Sequence, residues 1–386
     1  MKKYASFVFL TAFVLGSFSF PVQAIETKAK NAVLMDFDTG TFFFEKKADE
    51  KMPPASMSKL MTAYMIFERL KNGALSLDDE FIVSENAWRK GGAKTGSSTM
   101  FLNIGDKVKL SDLLRGIIVQ SGNDACITAA ENISGSEAEF VDQANKKAAE
   151  LGLTNTHLAN STGWPDPNHY MSPKDLAVLS ARIIREFPEY YTIYSEKEFT
   201  YNGIKQENRN PLLFLMPGTA DGIKTGHTSV SGHGLVGSAK RSGRRIIMVI
   251  NGLKTMKERS EEALKLMLWG FREFDNYPVL KKDVKVVDVP VWLGEQHSVA
   301  AVPAQDLVVT LQKGQQKNVN AKVVYEAPLS VPVKKGQKIA SLTLEIPNQE
   351  AKSVDLYAAN DVKRLGYFGR IKELFKYFLF QNINQE

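Results

Sequence analysis

Ser56-Met57-Ser58-Lys59 is the only Ser-x-x-Lys in the chain, and it joins the two groups that a covalent serine mechanism needs. Positions three apart share one face of a helix, so the Ser56 hydroxyl and the Lys59 amine stand within reach of each other. A hydroxyl attacks poorly until a base takes its proton. A lysine becomes such a base when burial and nearby cations favour its neutral form. The helix start adds backbone N–H groups that can face a developing oxyanion. Alone, the motif also fits an N-cap followed by a solvated lysine. Two further runs shift that balance, Ser121-Gly122-Asn123 at a helix break and Lys224-Thr225-Gly226 in a strand pattern after Asp221-Gly222-Ile223. Ser84-Glu85-Asn86 and Lys94-Thr95-Gly96 repeat the short patterns, but Lys94 lies in a Gly/Lys/Ser stretch ahead of Ser121. Lys224, by contrast, precedes strand-like Leu235 to Ala239 and Arg244 to Ile250.

The elements that must position these residues are legible in outline. Ala32 to Phe37 and Thr41 to Phe44 around Asp38-Thr39-Gly40 read as a hairpin. Pro53 opens a helix to about Leu70, with Leu60, Met61, Tyr64, Met65 and Phe67 as its apolar face. Residues 110–190 read as largely helical, residues 221–253 as a β return, and Glu258 to about Phe274 as a closing helix. Past Tyr277, short β-branched segments separated by Gly, Pro, Asn and Lys suggest a small sandwich without chemistry. From Asp361 to about Phe380, apolar residues recur on one helical face, from Leu365 to Leu379, with Lys363, Arg370 and Lys376 off it.

The order and spacing of the three motifs, together with Met35-Asp36-Phe37, Pro54-Ala55-Ser56, Gly96-Ser97-Ser98, Ser121 to Ala125, Asn160-Ser161-Thr162-Gly163 and Asp221 to Thr228, resemble a known family. These are the low-molecular-mass penicillin-binding proteins that act as serine-type D-alanyl-D-alanine carboxypeptidases. The resemblance spans Ala24 to Asp275 well and the remainder more loosely. It implies an α+β fold: a penicillin-binding/β-lactamase-like domain of antiparallel sheet plus helical subdomain, then a small β-sandwich domain and a C-terminal amphipathic helix. The implied boundaries are a leader over 1–24, a catalytic domain over 25–276, a β-rich domain over 280–352 and a membrane-anchoring helix over 355–386.

The resemblance also implies roles. Ser56 attacks the carbonyl between the two terminal D-alanines of a peptidoglycan stem peptide, Lys59 is the general base, and Ser121 relays a proton toward the leaving amine. Asn123 holds the peptide backbone and Lys59. Lys224 and Thr225 bind the free carboxylate, with Gly226 in the same segment, and the N–H groups of Ser56 and His227 form the oxyanion hole. Arg259 is a further candidate for carboxylate recognition, although a charged helix start also reads as a solvated face. β-Lactam antibiotics become covalent inhibitors at Ser56. No cofactor or metal enters the scheme.

Two alternatives accompany this reading. A class A-like β-lactamase would carry a Glu-x-x-Leu-Asn loop between Asn123 and Lys224, which is absent, and Asp in place of Gly122. The present sequence instead predicts slow penicillin hydrolysis and a long-lived adduct. A catalytically inactive wall-binding scaffold would not need Ser56, Lys59, Ser121, Asn123, Lys224 and Thr225 all in place.

Composition narrows the remaining classes. Of 386 residues, 44% are hydrophobic and 24% charged, which excludes a polytopic membrane protein and wholesale disorder. Lys2 and Lys3, an apolar stretch from Phe7 to Phe20 and Pro21 to Ala24 read as a secretory signal cleaved after Ala24. That leader holds two lysines and no acid, so the formal charge of +6 falls to +4, and no aromatic signature of nucleic-acid binding accompanies it. The expected location is the periplasmic face of the cytoplasmic membrane, held peripherally by the tail. Cys126 is the one cysteine and reads as a small buried hydrophobe. Trp164 lies in a loop expected to border the site, and His157, His169, His233 and His297 form no ligand-like group.

Overall fold

The computed structural model describes residues 25–347 and 349–381, the side chains of 376–381 excepted. The expected leader, 1–24, lies outside the described residues.

β1 (Asn31–Asp36) and β2 (Phe42–Lys46) form the N-terminal hairpin. Its turn is held by Asp36, whose carboxylate accepts the Thr39 N–H at 3.0 Å. A 3-10 turn, Ala55–Ser58, then runs into α1 (Lys59–Lys71). Periodicity assigns α1 one apolar face, yet the structure buries every residue from Lys59 to Phe67. Such a helix lies inside the core rather than on it, and the small Thr62 and Ala63 complete its surface.

β3 (Glu80–Ile82) and β4 (Lys107–Lys109) make a short ribbon, with α2 (Glu85–Gly91) between them in sequence. The helical part continues with α3 (Leu110–Ile118), α4 (Asn123–Ser134), α5 (Glu137–Glu150), α6 (Pro173–Glu186) and α7 (Pro188–Tyr191). Ser136 and Ser172 cap α5 and α6 by accepting the N–H groups of Glu139 and Asp175. Ser84 does the same for α2, so Ser84-Glu85-Asn86 is a capping sequence, and Lys94-Thr95-Gly96 falls in and just after a 3-10 turn with Lys94 over the Trp88 ring.

A second ribbon, β5 (Glu198–Tyr201) and β6 (Ile204–Glu207), and the short α8 (Leu212–Leu215) lead to β7 (Ala220–Thr228), β8 (Gly232–Arg241) and β9 (Arg244–Leu253). The main sheet is antiparallel in the order β2-β1-β9-β8-β7, which leaves β7 at an edge. Ile246 to Ile250 are all buried although their side chains alternate between faces. Both faces are therefore covered, and α6 and α9 (Met256–Glu273) pack on β9.

A second unit begins at Phe274. β10 (Phe274–Leu280) pairs with β13 (Leu307–Gln312), and a six-stranded sheet has the order β14-β16-β17-β12-β11-β15. Its members are β11 (Val287–Trp292), β12 (Ser298–Pro303), β14 (Asn320–Val324), β15 (Leu329–Ser330), β16 (Lys338–Glu345) and β17 (Lys352–Ala358). Val309 and Leu311 of the small sheet share one core with Val299, Leu342 and Leu356 of the large one. Two boundaries differ from the sequence reading. The β unit starts at 274, not 280, because β10 pairs along most of β13 despite Pro278, and residues from 355 onward begin as strand, not helix. There Val354, Leu356 and Ala358 alternate with Ser353, Asp355 and Tyr357, the period of a strand. The terminal helix, α10, is Tyr367–Gln381.

Candidate active site

Ser56 sits in the 3-10 turn and Lys59 in the first turn of α1, so their groups meet at the mouth of the most buried helix of this unit. The Lys59 Nζ lies 3.0 Å from Ser56 Oγ, 2.7 Å from Asn123 Oδ1 and 2.5 Å from the Thr162 carbonyl oxygen. A charged ammonium satisfies all three as a donor. A neutral amine has two N–H groups, which the amide oxygen and the carbonyl oxygen occupy, and its lone pair then faces the Ser56 hydroxyl. In that form the amine can take the Ser56 proton. Lys59 is 1% exposed, and that burial lowers its pKa to about 8, with the Arg209 cation pushing the same way.

Ser121 precedes α4 in a left-handed conformation, φ 63°, and Ala55 beside Ser56 has φ 49°. Non-glycine residues seldom accept this region, and here both adjoin the polar cluster around Lys59 and Lys224. Asp124 secures the loop around Ser121. Its fully buried carboxylate accepts the Met100 N–H at 2.8 Å, the Leu102 N–H at 3.2 Å and the Thr99 hydroxyl at 2.5 Å. That ties Ser97 and Ser98 to the same cleft, where Asn123 Nδ2 donates to Ser97 Oγ at 3.1 Å. The Asn160 side chain closes another turn by accepting the N–H groups of Gly163 and Trp164 at 2.8 and 3.0 Å. Thr62 of α1 donates to the Ser161 carbonyl at 2.7 Å, which fixes where the Thr162 carbonyl meets Lys59.

The edge strand β7 supplies the opposite wall. Lys224 Nζ donates to Ser121 Oγ at 2.9 Å and to the Thr225 carbonyl oxygen at 3.3 Å. A side chain at Gly226 would put Cβ 2.8 Å from the Pro54 carbonyl oxygen, so only glycine lets β7 lie this close to the turn bearing Ser56. Ser56, Asn123 and His227 then line one cleft of about 400 Å³. The His227 ring stacks on His233 at 3.9 Å and is exposed, while its backbone belongs to the cleft wall. An edge strand leaves alternate backbone N–H groups outside the sheet ladder, available to an oxyanion or a peptide.

Cations dominate this cleft. Burial drives the Lys224 pKa well down, with Lys59 and Arg209 adding repulsion. Arg259 is 6% exposed, so the solvated-face reading of its helix start fails; its guanidinium donates to the Arg209 carbonyl oxygen at 3.1 Å. Burial, then Arg209, brings the Arg259 pKa to about 10, and its Nε has no partner among the described residues. An anion entering here meets little competition from carboxylates, since Asp124 already commits its oxygens to the loop.

Sequence reasoning passed over Arg209, whose guanidinium reaches Ser98 Oγ across 111 positions of chain. It stands in an Asn/Pro loop without periodicity, so nothing local marks it. Asp124 stood inside the quoted Ser121 to Ala125 run but received no role. Cys126 is fully buried, and burial raises its thiol to about 12, which fits a packing residue. Trp164 is 51% exposed at the cleft's edge.

Residues 19–255 match the family described as D-alanyl-D-alanine carboxypeptidase, and residues 274–364 match the penicillin-binding protein 5 C-terminal domain. The chain is 39% identical over 381 residues to D-alanyl-D-alanine carboxypeptidase DacA of Haemophilus influenzae, covering 96% of each protein. Among solved structures, penicillin-binding protein 5 from Haemophilus influenzae superposes with a TM-score of 0.80 at 39% identity, over 89% of this chain and 100% of that one. Penicillin-binding protein D2 from Listeria monocytogenes, in its ampicillin-bound form, gives a TM-score of 0.56 at 30% identity, over 64% of this chain and 99% of that one.

Proposed function

The chain belongs to the D-alanyl-D-alanine carboxypeptidase family, and from that premise we propose how its cleft removes the terminal D-alanine of a peptidoglycan stem peptide. The substrate carboxylate lies against Lys224 and Thr225, with Arg259 and Arg209 adding positive potential behind them. Ser56 Oγ attacks the carbonyl carbon of the penultimate D-alanine as Lys59 takes the hydroxyl proton. The oxyanion faces the N–H groups of Ser56 and His227. Losing one such donor costs on the order of a hundredfold in rate. The C–N bond breaks, the proton passes through the Lys59–Ser121 side of the cleft to the leaving amine, and D-alanine departs. Water then releases the acyl group from Ser56, with Lys59 again taking the proton.

The observation that carries this reading is the 3.0 Å contact between a buried, cation-crowded Lys59 and Ser56 Oγ, with the other two polar partners of the amine already assigned. Release of D-alanine from diacetyl-Lys-D-Ala-D-Ala tests it, alongside labelling of intact protein and Ser56→Ala with a fluorescent penicillin. Release by the intact protein and label only on the intact protein are expected. Equal labelling of both would reject Ser56, and label without D-alanine release would favour a β-lactam-binding scaffold.

Export and anchoring belong to the same proposal. The leader over 1–24 sends the chain to the periplasm, and α10 lies in the membrane plane. Phe368 and Phe375 on α10 are 85% and 67% exposed, and an in-plane amphipathic helix needs such an apolar face with cationic flanks. No helix among the described residues is long and apolar enough to cross a membrane. Truncation after Leu365 leaves β17 whole; it should free the protein from membranes while D-alanine release continues, whereas unchanged co-sedimentation would reject the anchor.

A further inference from the structure

Two acceptors orient the Lys59 amine, and they are held in different ways. Asn123 Oδ1 belongs to a side chain on α4 whose Nδ2 donates to Ser97. The Thr162 carbonyl belongs to the long connection between α5 and α6, which contains no helix or strand of its own and must be fixed from outside.

Three successive peptide groups of that connection are held in turn. The 160–161 peptide donates its Ser161 N–H to Glu137 Oε1 at 3.1 Å. The 161–162 peptide offers its carbonyl to the Thr62 hydroxyl at 2.7 Å. The 162–163 peptide donates its N–H to Asn160 Oδ1 at 2.8 Å, and its carbonyl meets Lys59. Thr62 and Lys59 stand on α1, and Asn160 belongs to the loop itself. Glu137 holds the run from α5, and the same Oε1 also accepts the buried Ser161 hydroxyl at 2.7 Å.

Glu137 does not line the reaction cleft, and it forms no ion pair among the described residues. An acid at the first position of a helix is favoured by the helix dipole, but that effect requires no contact with Ser161. Here both contacts go to neutral donors of one serine, so the oxygen matters as an acceptor rather than as a charge. Farther along α5, Asn145 clasps Leu158 through both its N–H and its carbonyl at 2.8 Å, which secures the start of the loop but not the turn that faces Lys59.

We propose that Glu137 is a positioning residue for the general base: by fixing Ser161 from α5, it sets the Thr162 carbonyl where it holds one N–H of Lys59, so that the amine lone pair faces Ser56. With Ser161 released, the 160–163 turn pivots about its Thr62 contact and the carbonyl leaves the line of Nζ. The inference rests on the peptidase reading above and deepens it.

The test is the acylation of Ser56 by penicillin, followed to saturation so that the limiting rate and the half-saturating concentration are read separately, beside D-alanine release and thermal unfolding. Glu137→Ala should lower the limiting rate about tenfold with the half-saturating concentration unchanged, since a small misplacement of a reacting group acts on the chemical step. Glu137→Gln, whose amide oxygen accepts the same two donors, should stay within about twofold of the unaltered protein. Asn145→Ala should lower the unfolding temperature and leave the limiting rate unchanged. If Glu137→Ala does not fold, Ser161→Ala, which deletes only the 2.7 Å contact, should lower the limiting rate about three- to fivefold, and an unchanged rate there would overturn the proposal. Equal losses in Glu137→Ala and Glu137→Gln would assign the effect to charge and overturn it. So would a loss in Asn145→Ala as large as in Glu137→Ala, or a Glu137→Ala variant altered only in its half-saturating concentration. An intact protein that neither is acylated nor releases D-alanine would remove the peptidase reading and this inference together.

Discussion

In the unit that ends at Glu273, the buried interior holds Lys59, Asp124, Lys224 and Arg259, whereas in the β unit Thr310 is the one buried polar side chain among the described residues. The β unit shows what a packed core of Val, Leu, Ile and Ala needs for stability, and charge is not part of it. Burying a cation costs free energy unless partners offset it, and two lysines and two arginines near one cleft oppose one another as well. The catalytic unit tolerates this because α1, β9 and the helices around them bury enough apolar surface elsewhere. The contrast separates groups kept for chemistry from groups kept for packing.

The largest test of that separation removes the lysines. Lys59→Ala should lower acylation by penicillin and D-alanine release by about a thousandfold or more, the range of a lost general base in a covalent site. Lys224→Ala should cost about a hundredfold in kcat/KM for the peptide, chiefly through KM, since it removes one partner of a buried charge pair with the substrate. Steady-state kinetics that show both variants losing kcat alone would remove the carboxylate role of Lys224.

A smaller effect tests whether the cations act on one another. Arg209 pushes the Lys59 pKa down, so Arg209→Gln should raise it and move the rising limb of the pH–rate profile upward by roughly half a unit to one unit. At neutral pH this amounts to about a three- to tenfold loss, recovered at higher pH. A loss independent of pH would mean that Arg209 serves only to hold Ser98.

The smallest effect on activity belongs to the β unit. Leu342 is 3% exposed in its core, and Leu342→Ala should destabilise that unit by about 2–5 kcal/mol in denaturant unfolding. Its kcat/KM for D-alanine release should stay that of the unaltered protein. A parallel loss of activity would break the division between the units.

Much of the site was legible because its chemistry lies in short runs. Ser56 and Lys59 are placed together by helix periodicity alone, and Lys224-Thr225-Gly226 is marked as a strand by the β-branched stretches that end at Ala239 and Ile250. Arg209 was not legible, because its meaning arises only when an Asn/Pro loop folds over Ser98 and Arg259. The left-handed backbone at Ser121 carries no signal in the sequence either, since Ser-Gly-Asn suits a turn of several kinds. In the fold, the hairpin and the β7–β9 meander arise from alternation and turn residues. β17 escaped because its alternation, Ser353 to Ala358, is short and runs between a polar loop and the tail, and its place is set by pairing with β16 and β12.

The central claim is that Lys59 works as a neutral amine against Ser56. The pH dependence of the second-order rate of Ser56 acylation by penicillin measures it most directly. The rate should climb about tenfold per pH unit below the Lys59 pKa of about 8 and level off above it. A rate that stays flat from about pH 6 to about pH 10 would show that the proton leaves Ser56 by another route.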